Sequence, residues 1–285
     1  MFEVGRTLIR SLILVLFWGI ASGVATAAPT LLVCYPNAPG STESAEPVMA
    51  ELGQRLGGQA VYFNEVAAAE AWIEEHGQPT CAIVSLGVYL RWREDHGLVP
   101  VASTERRGKT HERYHLLVAQ DAPATDLDTF GKAQPTVWSG LLDNRAFAER
   151  VVFAGKLSLG DAGVRLVSTA QPLRALRRLK SGREFEGHPV DGVVLDGPAW
   201  EELQQLASFK GLLRELYQSE PLPTPPVVSC ATSDPAEVAA VVKALEGLSQ
   251  DDAGKKLLQT LQLTAFRGPE TEALARVVTA AEGDE

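Results

Sequence analysis

The sequence predicts a two-lobe α/β protein, each lobe a mainly parallel sheet flanked by helices, with the chain crossing between the lobes twice. Three observations carry this. Apolar strand-like runs alternate with segments of helical periodicity from residue 31 to residue 86, and the alternation restarts at residue 135. Extended, non-helical segments follow each series, the later one rich in proline. From Asp234 onward the chain is mostly helical and needs a sheet for its apolar faces, which the first lobe supplies most simply.

The first 27 residues stand apart. Arg6 and Arg10 precede an apolar stretch from Leu12 to about Val24, and Ala25-Thr26-Ala27 follows. This is the order of a secretory signal peptide cleaved after Ala27. The alternative is a retained anchor, but a bilayer span takes about 20 apolar residues and this run is shorter. Without that segment the formal charge moves from −10 to −11, because Glu3 leaves with the two arginines. An acidic chain with no basic stripe points away from nucleic acid as a partner.

LLVCYP (31 to 36) reads as a strand, and NAPGST supplies turn residues. Ser44 can cap a helix with Pro47 in its first turn, and Val48, Met49, Leu52 and Leu56 recur at helical spacing up to Gly57-Gly58. QAVYF (59 to 63) is a second strand, Asn64 a cap for a helix ending at Gly77, and CAIVSL (81 to 86) a third strand. LVPVAST and ERYHLLVAQ flank a polar turn at Arg107-Gly108-Lys109. In the second series come PTVW, a helix from about Leu142 to Phe153, VRLV, a helix from Gln171 to Ser181, and VDGVVLD. The chain then leaves the first lobe near 119 and returns near 226, so that residues 28–119 and 226–285 form lobe one and 120–225 form lobe two. Proline fixes φ and removes a donor, which suits PLPTPP (221 to 226) to a stiff connection between lobes.

Cys34, Cys81 and Cys230 are too few and too scattered for a metal cluster or a disulfide framework. An antiparallel placement of VVSCA beside CAIVSL would bring Cys81 and Cys230 close. No P-loop, G-x-S-x-G, C-x-x-C or G-x-G-x-x-G motif is present, so neither a cofactor nor an enzymatic reaction is expected. His111-Glu112-Arg113-Tyr114-His115 matches H-E-x-x-H, which on a helix holds zinc with the glutamate as general base, so a zinc hydrolase is the rival reading. Its context is strand-like, and extended chain would carry His111 and His115 too far apart.

Tyr35, Tyr89 and Asp196 fall at carboxyl ends of predicted parallel strands, where open α/β sheets bind ligands. Two of them have a plainer reading: Tyr89 as a packed helix aromatic, Asp196 as a helix cap. Ser139-Gly140 precedes a helix whose free backbone N–H groups could hold an oxyanion, or else Ser139 is only a cap and Gly140 only a turn residue. The arginine-rich stretch from 174 to 184 reads as a solvated helix face or a docking surface for a membrane partner.

In this order the chain resembles the phosphate/phosphonate-type periplasmic substrate-binding proteins of ABC importers, within the type II periplasmic binding-protein fold. The resemblance is carried by YPNAPGS after the first strand, by IVSLGVYL with Tyr89, by DLDTFGK (126 to 132), and by LTAFRGPETEAL near the C-terminus. Most specific is Ser219-Glu220-Pro221-Leu222-Pro223 followed by Pro225-Pro226-Val227-Val228, similar to the family's return crossing. It implies a monomer that captures a small anion such as phosphate, phosphite or phosphonate between its lobes and delivers it to a permease in the inner membrane. Tyr35 and Tyr89 would line the cleft from lobe one, and Ser139, Gly140 and Asp196 from lobe two. A divergent copy serving a sensor is the rival within the family. The sequence departs from the family's pattern in its lone Ser139-Gly140, in Ser168-Thr169-Ala170, and in Thr80-Cys81 at the start of the third strand.

Overall fold

A computed structural model of the protein describes residues 28–36, 41–140, 144–160 and 163–283. The signal segment and the start of the helix expected from Leu142 lie outside the described residues.

The first series folds in the order the apolar periodicity dictates. Strand β1 (Thr30–Cys34) leads to helix α1 (Thr42–Leu56), then β2 (Gln59–Phe63), α2 (Val66–His76), β3 (Cys81–Val84), α3 (Leu86–Trp92) and β4 (Leu98–Glu105). The cap of α1 is Ser41, not Ser44: the Ser41 hydroxyl accepts from Ser44 N–H while the Ser44 hydroxyl accepts from Ser41 N–H, closing a reciprocal capping box. α2 starts after Glu65 with no side-chain cap. After α1, a Cβ on Gly58 would lie 1.9 Å from the Pro29 carbonyl oxygen, so only glycine lets the chain re-enter the sheet there.

Past β4 come β5 (His111–Glu112), β6 (Tyr114–Ala119), α4 (Leu127–Lys132), β7 (Thr136–Ser139), a π-helical segment (Phe147–Val152), β8 (Arg165–Ser168), α5 (Pro172–Ser181), β9 (Gly192–Asp196), α6 (Gly197–Gln205) and β10 (Leu213–Gln218). The chain closes with β11 (Leu222–Pro223), β12 (Pro226–Cys230), α7 (Pro235–Gly247), α8 (Asp252–Thr260), β13 (Ala265–Arg267) and α9 (Thr271–Glu282).

These strands make one sheet in the order β13-β4-β12-β3-β1-β2 and a second in the order β10-β6-β9-β7-β8, joined by the small pair β5-β11. Both sheets are mixed. β1 is parallel to β2 and β3, and β7 to β8 and β9, as β-α-β alternation requires. The remainder is antiparallel because β12 returns from the second sheet against β3 and β4, while β6 runs against β9 and β10. "Mainly parallel" thus describes only the β-α-β part of each sheet.

The outgoing crossing lies earlier than the sequence placed it. β6 pairs with β9 and β10, so by Tyr114 the chain already belongs to the second sheet. The sequence reading took residues 112 to 120 as one strand of the first lobe because nothing in their apolar content marks the change of partner. The return crossing is clamped onto the outgoing one. The Thr224 hydroxyl donates to the Thr104 carbonyl at 2.5 Å and lies 3.1 Å from that of Thr110, while Thr104 Oγ1 donates to the Pro225 carbonyl at 2.8 Å. Pro226 opens β12, a strand central to the first sheet, at its first residue, where a missing N–H is tolerated.

Apolar packing follows the pleat. Leu31, Val33, Cys81 and Ile83 face one side of the first sheet with Met49, Leu52, Val241 and Leu258. Leu32, Ala82, Val84 and Val228 face the other, in a cluster that continues into Leu116, Val137, Phe147 and Phe153 of the second sheet and its π-helical segment. On the far side of the second sheet, Trp138, Val193 and Leu195 pack against Leu176 and Leu179 of α5 and Leu203 of α6. Leu173, one turn before Leu176, is exposed. β12 does lie antiparallel to β3, but Ser229 is the residue opposite Cys81, so Cys230 points to the other face and no disulfide joins the two.

Candidate functional site

Residue 106 owes its position to a tight turn. Arg106 and Lys109 exchange both backbone hydrogen bonds, and Arg107 and Gly108 between them have φ of 50° and 75°. Two consecutive left-handed residues make the type of turn whose twist matches a hairpin. It folds the chain back so that Arg106 meets Glu112 on β5. Its Nη1 donates to Glu112 Oε2 at 2.8 Å and to Asp196 Oδ2 at 2.7 Å, and Nη2 lies 3.4 Å from the Gln262 side-chain oxygen. The guanidinium, Glu112 and Asp196 side chains are only 12%, 6% and 10% exposed. One buried cation therefore carries two buried carboxylates, and it joins the end of the first sheet to the end of β9 in the second.

Two tyrosines complete the cluster. Tyr114 is the β-ladder partner of Asp196 and lies two residues from Glu112, so all three share a face. Its ring packs edge-on against Phe147. Tyr35 follows β1 and stands within electrostatic reach of Arg106, Glu112 and Asp196. Burial pushes the hydroxyls of both tyrosines above the usual range; Arg106 opposes this, and the two carboxylates add to it. Burial also pushes the Glu112 carboxyl up to about 7, against the pull of Arg106 and with a further push from Asp196. At Arg106 burial disfavours the charge, but Glu112 and Asp196 outweigh it and hold the guanidinium above its ordinary value. The cluster can thus offer a solute one guanidinium, two carboxyl groups and two phenols.

Of the residues selected from sequence, Tyr35 and Asp196 belong to this cluster. Asp196 is also the helix cap of its plainer reading, since its other oxygen accepts from Ala199 N–H at 2.8 Å at the start of α6. Tyr89 is buried in the apolar cluster with Trp92, as the packing reading has it. Ser139 is fully buried and its hydroxyl donates to the Val194 carbonyl at 3.3 Å; Gly140 is buried beside it, and the helix start that would hold an oxyanion lies outside the described residues. The Asn144 side-chain oxygen accepts from Phe147 N–H at the start of the π-helical segment, and its Nδ2 donates to the Gly87 carbonyl of α3, a contact between the two sheets' helices. Arg106 and Tyr114 were missed, and Glu112 entered only as the general base of the zinc reading. The available signal was the arginine beside the Arg-Gly turn and the two-residue spacing from Glu112 to Tyr114.

The H-E-x-x-H match is extended, not helical. His111 is in β5 and His115 in β6, so the two residues stand about 13 Å apart along the extended chain instead of one helical turn. The glutamate of the match is the Arg106 partner, and His115 Nδ1 bonds Glu215 Oε2 at 2.5 Å.

Residues 37–274 match the family described as ABC transporter, phosphonate, periplasmic substrate-binding protein. The chain belongs to this phosphonate-binding family. Its members are solute-binding components of ABC transporters, not enzymes, and act in the periplasm. No curated protein sequence matches this family member. Among solved structures, a Xanthomonas citri protein bound to chloride ion is 13% identical with a TM-score of 0.71, covering 90% of this chain and 98% of its own. A binding-protein component of a Pseudomonas aeruginosa ABC phosphonate transporter is 15% identical with a TM-score of 0.66, over 88% and 84%. Prochlorococcus marinus PhnD1, in complex with methylphosphonate, is 12% identical with a TM-score of 0.62, over 88% and 96%. At such identities the likeness establishes the shared fold, which is the type II periplasmic binding-protein fold.

Proposed function

We propose that this member of the phosphonate-binding family captures a small organic oxyanion of the phosphonate type where the two sheets' carboxyl ends meet, and hands it to a permease in the inner membrane. The chain acts as a monomer and reaches the periplasm through its cleaved first 27 residues. The observation that carries the ligand reading is Arg106, a buried guanidinium placed between the sheets and facing Tyr35 and Asp196. A guanidinium is the side chain best matched to an oxyanion of this geometry. Glu112 and Asp196 beside it favour a solute that pairs the oxyanion with an ammonium or hydroxyl donor, because a bare phosphate would leave a buried carboxylate without a partner.

Isothermal titration with methylphosphonate, an aminoalkylphosphonate and inorganic phosphate tests this. The aminoalkylphosphonate is expected to bind about tenfold or more tighter than phosphate. Saturable binding of a neutral solute, with none of these three, would overturn the oxyanion reading.

A further inference from the structure

Behind the Arg106 cluster, a pocket of about 420 Å³ opens between the hinge strands, residues 218–221 and the first turn of α6. A volume of this size accommodates a small organic molecule. It lies on the opposite face of the chain from the cluster. Tyr114 and Leu116 point toward the π-helical segment, while His115 sits opposite Leu195 and, like it, points toward α6. Only Arg106 and Glu112 line both spaces.

His115 is the feature that points to a ligand. Its side chain is 8% exposed, and Glu215 holds Nδ1. A carboxylate accepts, so Nδ1 carries a proton, and with a single proton on the ring Nε2 is an acceptor. Among the described residues nothing hydrogen-bonds that Nε2. Glycine at 197 keeps the space beside it clear, since a Cβ there would stand 3.8 Å from Nε2. The Trp200 ring is 6.3 Å from the imidazole, and Pro198 and Pro221 extend the apolar lining.

The charges at the rim are unequal. Arg106 and Arg107 are each held by two carboxylates. Lys109 and Arg113 have no carboxylate partner among the described residues, and Arg113 is occupied only by the Ser219 carbonyl at 2.6 Å. The pocket therefore presents two unneutralised cations, an aromatic wall and one buried acceptor.

We propose that this pocket is a second binding site, for a small aromatic acid carrying a hydroxyl group. The carboxylate pairs with Lys109 and Arg113, the ring lies along Trp200, and the hydroxyl donates to His115 Nε2. This site stands independently of what the Arg106 cluster binds.

Calorimetry and tryptophan fluorescence with 4-hydroxybenzoate as the probe test it. Saturable binding is expected with a Kd of about 1 mM or below. Benzoate, which lacks the hydroxyl, and the Lys109→Gln variant, a change at an exposed position, are each expected to weaken binding about tenfold, as one lost charged or buried hydrogen bond would. Tyr35→Phe should leave it unchanged. The proposal is overturned by no saturation up to about 10 mM, by equal affinity for benzoate, or by loss of binding in Tyr35→Phe with Lys109→Gln unaffected, which would mean that the probe enters the Arg106 cluster instead.

Discussion

Arg106 Nη1 donates to Asp196 Oδ2 across 2.7 Å, tying the residue that follows β4 of the first sheet to the last residue of β9 in the second. The same nitrogen also serves Glu112, so a single guanidinium offsets two buried carboxylates. Taking charges out of water costs several kcal/mol per ion, and only this close geometry compensates for it.

Removing the cation alone should therefore be costly. Arg106→Met is expected to lower unfolding free energy by about 3–5 kcal/mol, because Glu112 and Asp196 remain buried without a partner. Urea denaturation checks the value. Adding Glu112→Gln and Asp196→Asn to the same chain should recover most of the loss, since no buried charge then remains.

Glu112 sets a pH dependence with a definite sign. Its carboxyl is raised in the folded protein from 4.5 to about 7, so between these values the native state binds a proton that the unfolded chain has released. The stabilising contribution is complete below about pH 4.5 and is lost as pH rises through about 7. Exposed carboxylates held low by partners, such as Asp126 and Asp251, act in the opposite sense at lower pH. Comparing urea midpoints at about pH 5 and about pH 8, Glu112→Gln should flatten the difference by on the order of 3 kcal/mol. An unchanged slope would mean that Glu112 is ionised at neutral pH.

Thr224 holds the two crossings together through one hydroxyl shared between the Thr104 and Thr110 carbonyls. Thr224→Val keeps the shape and removes the donor. The expected cost is about 1–2 kcal/mol, from buried carbonyls left short of a partner. Thr224→Ser, measured in the same denaturation series, should lose much less.

The cysteines should behave as buried, reduced thiols. Burial pushes Cys81 up to about 12 and Cys230 up to about 11, which leaves almost no thiolate at neutral pH. Native protein should resist alkylation, and the denatured chain should take up three equivalents of reagent without prior reduction. Mass spectrometry under non-reducing conditions measures both. A loss of two mass units would indicate a disulfide and contradict the opposite-face placement.

The β-α alternation was legible because each strand there is bounded by turn residues and each helix has one apolar face. Asp234 and Pro235 cap and start α7 as their types dictate. The change of sheet before Tyr114 was not legible, since an apolar strand reads the same whichever neighbour pairs with it. Two of the five cluster residues followed from position alone: Tyr35 and Asp196 stand at strand ends. Arg106 and Glu112 did not, because their meeting depends on the turn at Arg107-Gly108 and on a third residue 84 positions beyond Glu112. The zinc-like match was misleading for the same reason: residue types carry no geometry until the backbone is known.

The last helix has a practical use. α9 begins against β4, where Glu270 N–H bonds the Ser103 hydroxyl and the Glu270 carboxylate accepts from Thr110, and it ends under Arg150 of the π-helical segment. Arg150 donates to the Ala281 carbonyl at 2.8 Å and also to that of Glu282, a cation seated on the negative end of a helix. Any change in the angle between the sheets must either drag this last turn along or break its two bonds. A dye attached at Gly283, which lines neither binding space, would turn that mechanical choice into a change of emission, making the end of the last helix a place to build a biosensor.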